Sequence, residues 1–100
     1  MATPQARIPC AKRRYPLLFV GPPPVADQEQ NTRIAALSEE FAPVCQALGV
    51  PYLPVFPSLV GSKAWMREAA AGDGSHPGAK GYGELALLVE AWDAWRRWLP

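Results

Sequence analysis

Residues 17–24, Leu-Leu-Phe-Val-Gly-Pro-Pro-Pro, are a continuous apolar run that ends in a glycine and three prolines. A short apolar run bounded by such residues is typical of a strand buried on both faces, as in parallel sheets. The Gly-Pro loop follows the carboxyl end of this strand, where open α/β sheets place their functional sites. The stretch therefore predicts an α/β fold with parallel strands.

One long helix is predicted after this strand. Asp27 is the expected N-cap with Gln30 as its capping-box partner, and Gly49 and Pro51 end the helix. Pro43 lies inside it, and we expect a kink there. The apolar side chains at helical spacing, which should form its buried stripe, are Ile34, Leu37, Phe41, Val44 and Leu48.

The rest of the chain predicts a second strand and two more helices. Residues 52–56 form the strand, which Pro54 restricts to an edge or a bulge. A brief helix covers 63–71, and a final helix starts at about Pro77. Its expected buried side chains are Tyr82, Leu85, Leu88, Val89, Trp92, Trp95 and Leu99. The strand–helix–strand–helix order predicts parallel strands with a right-handed crossover. Two strands leave exposed edges, so we expect part of a doubly wound domain.

Length and composition narrow the class of protein. One hundred residues fit one domain, and 49% hydrophobic residues with a net charge of +1 exclude a disordered chain and a polybasic nucleic-acid module. Nucleic acid is therefore not an expected partner. The sequence has neither an apolar run of the ~20 residues that span a bilayer nor a signal-like N-terminus, so we expect a cytoplasmic location. Residues 1–14 show no period and are predicted to be irregular.

The two cysteines, Cys10 and Cys45, match no metal-ligand pattern and are too few for a disulfide scaffold. Cys45 falls on the apolar face of the long helix, whereas Cys10 lies in a basic segment flanked by proline. A disulfide between them stays open, and a reducing compartment is the expectation. No metal or cofactor is predicted.

The segment Asp73-Gly74-Ser75-His76-Pro77 contains the only histidine of the chain. Two turn-forming residues separate the acid from the imidazole, so the turn brings the Asp73 carboxylate onto Nδ1–H of His76. Such a carboxylate fixes the tautomer and stabilises the imidazolium, and Nε2 is left to take a proton from a hydroxyl nucleophile. Asp73 and His76 are the candidate catalytic residues.

This Asp-x-x-His-Pro segment, followed by a glycine-rich turn, a tyrosine and an apolar helix, resembles the last motif block of the SGNH (GDSL-type) hydrolases. The resemblance covers roughly residues 17–95 and includes the Gly-Pro-Pro-Pro turn and the Gly-Val-Pro-Tyr strand entry. It implies part of a flavodoxin-like three-layer α/β/α fold over residues 15–100 and a small ester substrate. It also implies that Asp73 is the orienting acid and His76 the general base of a serine esterase or lipase.

The sequence departs from this family in the blocks that carry the other active-site groups. The Gly-Asp-Ser nucleophile block and the Gly and Asn blocks of the oxyanion hole have no counterpart. The only asparagine is Asn31, and the serines are Ser38, Ser58, Ser62 and Ser75. We therefore expect the carboxyl-terminal part of an ester hydrolase domain, with little catalysis by this chain alone.

Two other interpretations stay open. The chain is alternatively a non-catalytic remnant or interaction module that forms a homo-oligomer through its open sheet edge or its helix with Trp92, Trp95 and Trp98. In the other interpretation Cys10 is the nucleophile for His76 and Asp73, which thiolate chemistry permits but no motif positions.

Overall fold

The structure, a computed structural model, describes residues 17–98. Its elements are β1 (Phe19–Val20), α1 (Gln28–Leu48), β2 (Tyr52–Leu53), α2 (Phe56–Val60), α3 (Lys63–Ala71), α4 (Ala79–Glu90) and α5 (Asp93–Trp98). The two strands pair in parallel, with Phe19 opposite Tyr52 and Val20 opposite Leu53. The described chain is mostly helical with a two-stranded parallel sheet, an arrangement compatible with the predicted α/β class, and the strands are parallel as predicted. The predictions for residues 1–14 and for Leu99 lie outside the described residues.

The prediction that the first strand is buried on both faces is wrong for the described chain. Leu17, Phe19 and Val20 leave 53%, 36% and 38% of their surface exposed. Phe19 does pack edge-on against Phe41 of α1, with ring centroids 5.1 Å apart, and stacks on Tyr52 at 5.7 Å. Burial of β1 on both sides needs further strands or helices, and the described part of the chain supplies only β2 as a neighbouring strand.

The ends of α1 lie at the predicted residues, Asp27 and Gly49, but the capping-box bond expected from Gln30 is not formed among the described residues. The Asp27 carboxylate accepts from the backbone N–H of Glu29 at 3.3 Å, and Gly49 ends the helix in the left-handed conformation, with φ +72°. The helix continues through Pro43 to Leu48. The buried stripe predicted for α1 is partly wrong, because three of its five side chains are exposed: Leu37, Val44 and Leu48.

The face of α1 that is buried carries Asn31, Ser38 and Cys45, spaced seven residues apart. Two of these are polar, and each has a hydrogen-bonding partner outside the helix. Asn31 bonds the backbone of Val25, and the Ser38 hydroxyl lies 2.9 Å from that of Tyr52. A polar side chain can be buried where its hydrogen bonds are formed. These partners therefore determine which face of α1 is turned towards the rest of the protein. Cys45 is a free, buried thiol, as its position on this helix suggested.

The core lies where the helices after β2 meet. Val55, Leu59 and Trp65 are almost fully buried, and four partly buried side chains pack against them: Leu53, Met66, Leu85 and Leu88. The second strand is shorter than predicted, because it ends at Leu53 and Phe56 begins α2. The helix over residues 63–71 is confirmed, with the Ser62 hydroxyl accepting from the N–H of Trp65 at 3.0 Å.

The final helix was predicted as one unit and is two. α4 ends at Glu90, the N–H of Trp92 bonds the carbonyl of Val89 in a tighter turn, and α5 starts at Asp93. The predicted buried side is also only partly correct, since Tyr82 is 46% exposed. α4 starts at Ala79 with Gly78 as its N-cap, so Pro77 precedes the helix and does not lie in its first turn as predicted.

Candidate active site

The loop between α3 and α4 brings Asp73 and His76 into direct contact. Oδ2 of Asp73 lies 2.7 Å from Nδ1 of His76. The other carboxylate oxygen, Oδ1, accepts the backbone N–H groups of Ser75 and His76, each at 2.8 Å. Gly74 adopts φ +85°, which side chains with a Cβ rarely adopt, and so permits this tight turn. One carboxylate therefore both shapes the turn and holds the imidazole.

These bonds determine the protonation of the pair. The hydrogen bond from the His76 side chain, followed by those from the N–H groups of Ser75 and His76, holds the pKa of Asp73 well below its usual range. An ionised carboxylate only accepts hydrogen bonds, so Nδ1 of His76 carries the hydrogen between them. In the neutral imidazole Nε2 is then the unprotonated nitrogen. Nε2 makes no hydrogen bond with the described residues, and the His76 side chain is 70% exposed.

The loop is fixed at its start by the last turn of α3. The N–H of Gly72 bonds the carbonyl of Glu68 at 3.2 Å, and the N–H of Gly74 bonds the carbonyl of Ala69 at 2.8 Å. These bonds use carbonyl groups that the end of a helix leaves unpaired. On the other side of His76, Pro77 is buried. The exposed pair is therefore carried by an anchored backbone.

The loop that follows β1 lies against the same turn. The N–H of Ala26 bonds the carbonyl of Gly74 at 2.8 Å, and Nε1 of the buried Trp65 donates to the carbonyl of Pro24 at 2.9 Å. Asn31 holds Val25, which lies between Pro24 and Ala26. Its Oδ1 accepts from the N–H of Val25 at 2.8 Å, and its Nδ2 donates to the carbonyl of Val25 at 2.7 Å. The candidate pair, Asp73 and His76, thus adjoins the loop at the carboxyl end of a parallel strand, where α/β folds place their sites.

The serines of the described chain have other roles. Ser38 and Ser62 are buried and bonded to Tyr52 and Trp65, and Ser58 lies on α2. Ser75 is exposed between the acid and the base, and its N–H is part of the turn. Within residues 17–98 no serine hydroxyl bonds to His76, and Cys10 lies outside that range.

Two open grooves occur elsewhere on the surface. One, of about 280 Å³, lies between α1 and the segment after β2, and the other, of about 380 Å³, lies between α2 and α4. Neither is lined by Asp73 or His76. Residues 17–98 contain no cluster of three or more His, Cys, Asp or Glu side chains that suits a metal ion. None of the helices formed by these residues is long and apolar enough to cross a membrane.

Comparison with known proteins identifies the family. The model of the GDSL-like Lipase/Acylhydrolase family matches residues 2–83, a range that includes Asp73 and His76. The chain belongs to this family. The match confirms the resemblance seen in the motif and supports an esterase or acylhydrolase type of function. A search of curated proteins finds no match.

Sequence reasoning missed the residues that hold the candidate pair from outside its own loop. Glu68 of α3 bonds the N–H groups of Gly78 and Gly81, at 2.9 and 2.8 Å, and Trp65 and Asn31 fix the loop after β1. A signal for Glu68 was present, because α4 begins with glycine at positions that normally supply a capping side chain. Such a helix start needs an acceptor from another element.

Proposed function

We propose that this chain is the carboxyl-terminal part of an ester hydrolase domain in which Asp73 orients and His76 acts as general base. The observation that carries the proposal is the 2.7 Å contact between Oδ2 of Asp73 and Nδ1 of His76, with Nε2 exposed and unbonded within the described chain. Family membership supports the class of reaction. The substrate class is a small ester.

The proposed domain is a flavodoxin-like three-layer α/β/α fold, to which residues 15–100 contribute a βαβα portion. Two features support it: the strands are parallel, and the 21-residue helix α1 connects them. The strand β1 is also exposed, as expected for a central strand when the other strands and helices that would cover it are missing.

In the proposed reaction Nε2 of His76 removes the proton from a serine hydroxyl as that oxygen attacks the ester carbonyl carbon. Asp73 stabilises the imidazolium, which then protonates the leaving alkoxide as the ester C–O bond breaks. Water repeats these steps on the acyl-enzyme and releases the acid. The sequence contains no Gly-Asp-Ser or Gly-x-Asn-Asp block, so a segment outside this chain supplies the nucleophile and the oxyanion donors.

The test uses p-nitrophenyl acetate, whose leaving group is good enough for imidazole itself to attack. Nε2 of His76 bonds the carbonyl carbon, p-nitrophenolate leaves, and water hydrolyses the acetyl-imidazole. We expect slow hydrolysis that disappears in His76→Ala and falls several-fold in Asp73→Asn. Asp93→Asn makes the same chemical change at an exposed position on α5 and serves as the control. Equal rates for the wild type and His76→Ala would overturn the proposal for this chain.

A second candidate is an interaction module that forms a homodimer through β1. The N–H groups of Phe19 and Gly21 bond the carbonyls of Pro51 and Leu53, so the intervening Val20 directs its N–H and C=O to the opposite edge. The described chain places no third strand there. On the far edge of β2 Pro54 lacks an N–H, which disfavours pairing. Trp95 and Trp98 stack on each other at 5.4 Å, and Trp98 is 45% exposed. We argue the second candidate for the β1 edge because its backbone N–H and C=O groups have no strand partner in the described chain.

Light scattering over a range of concentrations tests this second candidate. A dimer that Val20→Lys dissociates and Val60→Lys leaves intact would support it, since Val60 has similar exposure on α2. A wild-type chain that stays monomeric at all concentrations would contradict it.

A further inference from the structure

The helix that follows His76 lacks the side chains that normally cap its first turn. In a capping box the N-cap side chain accepts from the N3 amide, and the N3 side chain accepts from the N-cap amide. In α4 these positions are Gly78 and Gly81, and the helix has no acidic residue in its first turn. Neither position offers an acceptor, so both amides depend on a group from elsewhere.

Glu68 of α3 supplies both missing bonds with one atom. Its Oε1 accepts the N–H of Gly78 at 2.9 Å and that of Gly81 at 2.8 Å. The hydrogen bond from Gly81 is the largest cause that lowers the pKa of Glu68; partial desolvation opposes it, and the bond from Gly78 adds to the lowering. A negative charge at this end of α4 is also favoured by the helix dipole.

The glycines make room for this carboxylate. A Cβ at Gly78 would lie 3.3 Å from the Glu68 carboxyl carbon, and one at Gly81 would lie 2.5 Å from Cβ of Pro77 and 3.2 Å from the Glu68 oxygen. Real Cβ atoms are rarely found at such distances. A side chain at either glycine would therefore crowd the Glu68 carboxylate, here called the clamp from α3, and a side chain at Gly81 would also meet Pro77.

Glu68 also touches the beginning of the loop. Its backbone carbonyl accepts from the N–H of Gly72, immediately before Asp73, whereas its side chain holds Gly78, two residues after His76. The residue between His76 and Gly78, Pro77, is buried. One residue of α3 thus fixes both ends of the segment that carries the pair.

We propose that Glu68 is a positioning residue for His76: by bonding Gly78 and Gly81 it holds the backbone that aims the imidazole at Asp73. The proposal rests on the proposed function only for its catalytic consequence, because the orientation of the ring is measurable without any reaction. A displacement of about 1 Å at a reacting group can cost on the order of 100-fold in rate.

Three substitutions at Glu68 distinguish the effect of its two hydrogen bonds from the effect of its negative charge. Glu68→Gln keeps an oxygen at the same reach and loses the charge, Glu68→Asp keeps the charge and shortens the reach, and Glu68→Ala loses both. Glu40→Ala, on the exposed side of α1, is the control. The readouts are the ¹⁵N chemical shifts of the two His76 ring nitrogens and the His76-dependent hydrolysis of p-nitrophenyl acetate.

We expect Glu68→Gln and Glu40→Ala to keep the wild-type ring signals and rate. Glu68→Asp and Glu68→Ala should lose the Nδ1–H···Oδ2 signature and about 10-fold or more of the rate. Wild-type ring signals in folded Glu68→Asp would overturn the proposal, even if Glu68→Ala fails to fold. Loss of the signature in Glu68→Gln as well as in Glu68→Asp would overturn the assignment to hydrogen bonding. If the ring signals respond as expected while no variant shows His76-dependent hydrolysis, the positioning stands and the proposed function fails.

Discussion

The backbone N–H of Ala26 bonds the carbonyl oxygen of Gly74 at 2.8 Å, although 48 positions separate the two residues. Gly74 lies between the acid and the base, and Ala26 lies in the proline-rich loop that leaves the sheet. The bond therefore couples the candidate pair to the carboxyl end of β1. Trp65, which donates to Pro24 in the same loop, adds a second attachment.

The ionisation of Asp73 is predicted to depend on His76. The folded-state pKa lies below the ordinary carboxyl value of about 3.9, chiefly because of the bond to the His76 side chain. The lowered pKa of Asp73 means that its ionised form stabilises the folded state. This stabilisation is complete at a pH above the ordinary carboxyl value and is lost as the pH falls through the lower, folded-state pKa. His76→Ala should raise the pKa of Asp73, as measured by ¹³C NMR titration of its carboxyl group. An unchanged midpoint would show that the bond to His76 is not what lowers this pKa.

Alanine substitutions at two glycines of α4 should have opposite effects. A Cβ at Gly81 meets Pro77 at 2.5 Å and displaces the clamp, so Gly81→Ala should destabilise the fold by about 1–3 kcal/mol. Gly83 has open space around it, and Gly83→Ala should stabilise by about 0.5–1 kcal/mol, because alanine favours the helix. Urea denaturation measures both. Equal changes at the two positions would contradict the packing described.

The indole nitrogen of Trp65 is predicted to stabilise the loop after β1. Trp65→Phe keeps an aromatic ring but leaves the buried carbonyl of Pro24 without its donor, at a cost of about 1–3 kcal/mol. Trp98→Phe, at a position 45% exposed, should change stability by less than about 0.5 kcal/mol. Thermal unfolding of the two variants compares them, and similar losses would argue against the Trp65 bond.

Asn31 is predicted to matter more than its neighbour on α1. Asn31→Ala removes partners from both backbone groups of Val25 and should destabilise by about 1–3 kcal/mol. Thr32→Ala removes an exposed bond to the Gln28 carbonyl and should cost less than about 0.5 kcal/mol. Chemical denaturation tests the difference, and a neutral Asn31→Ala would show that the loop does not need this side chain.

The features that the sequence predicted well depend on neighbouring residues. Asp27 and Gly49 bound α1 through bonds within one turn, and Asp73 meets His76 three residues away. Capping and turn preferences act over such distances, so the residue types alone indicate them.

The features that were missed depend on partners far along the chain. The buried face of α1 is set by Asn31 bonding the loop before the helix and by Ser38 meeting Tyr52 of β2, neither of which hydrophobic periodicity registers. The exposure of β1 depends on which layers surround it. The Glu68 clamp joins two helices, and only the two glycines at the start of α4 pointed to it.

The ¹⁵N NMR spectrum of the His76 ring tests the central claim most directly, because His76 is the only histidine of the chain. At a pH where the imidazole is neutral, the bond to Asp73 predicts hydrogen on Nδ1 and an unprotonated Nε2. Asp73→Asn should change this tautomer. A neutral ring protonated on Nε2 in the wild type, or the same tautomer in Asp73→Asn, would contradict the assignment of His76 as a base held by Asp73.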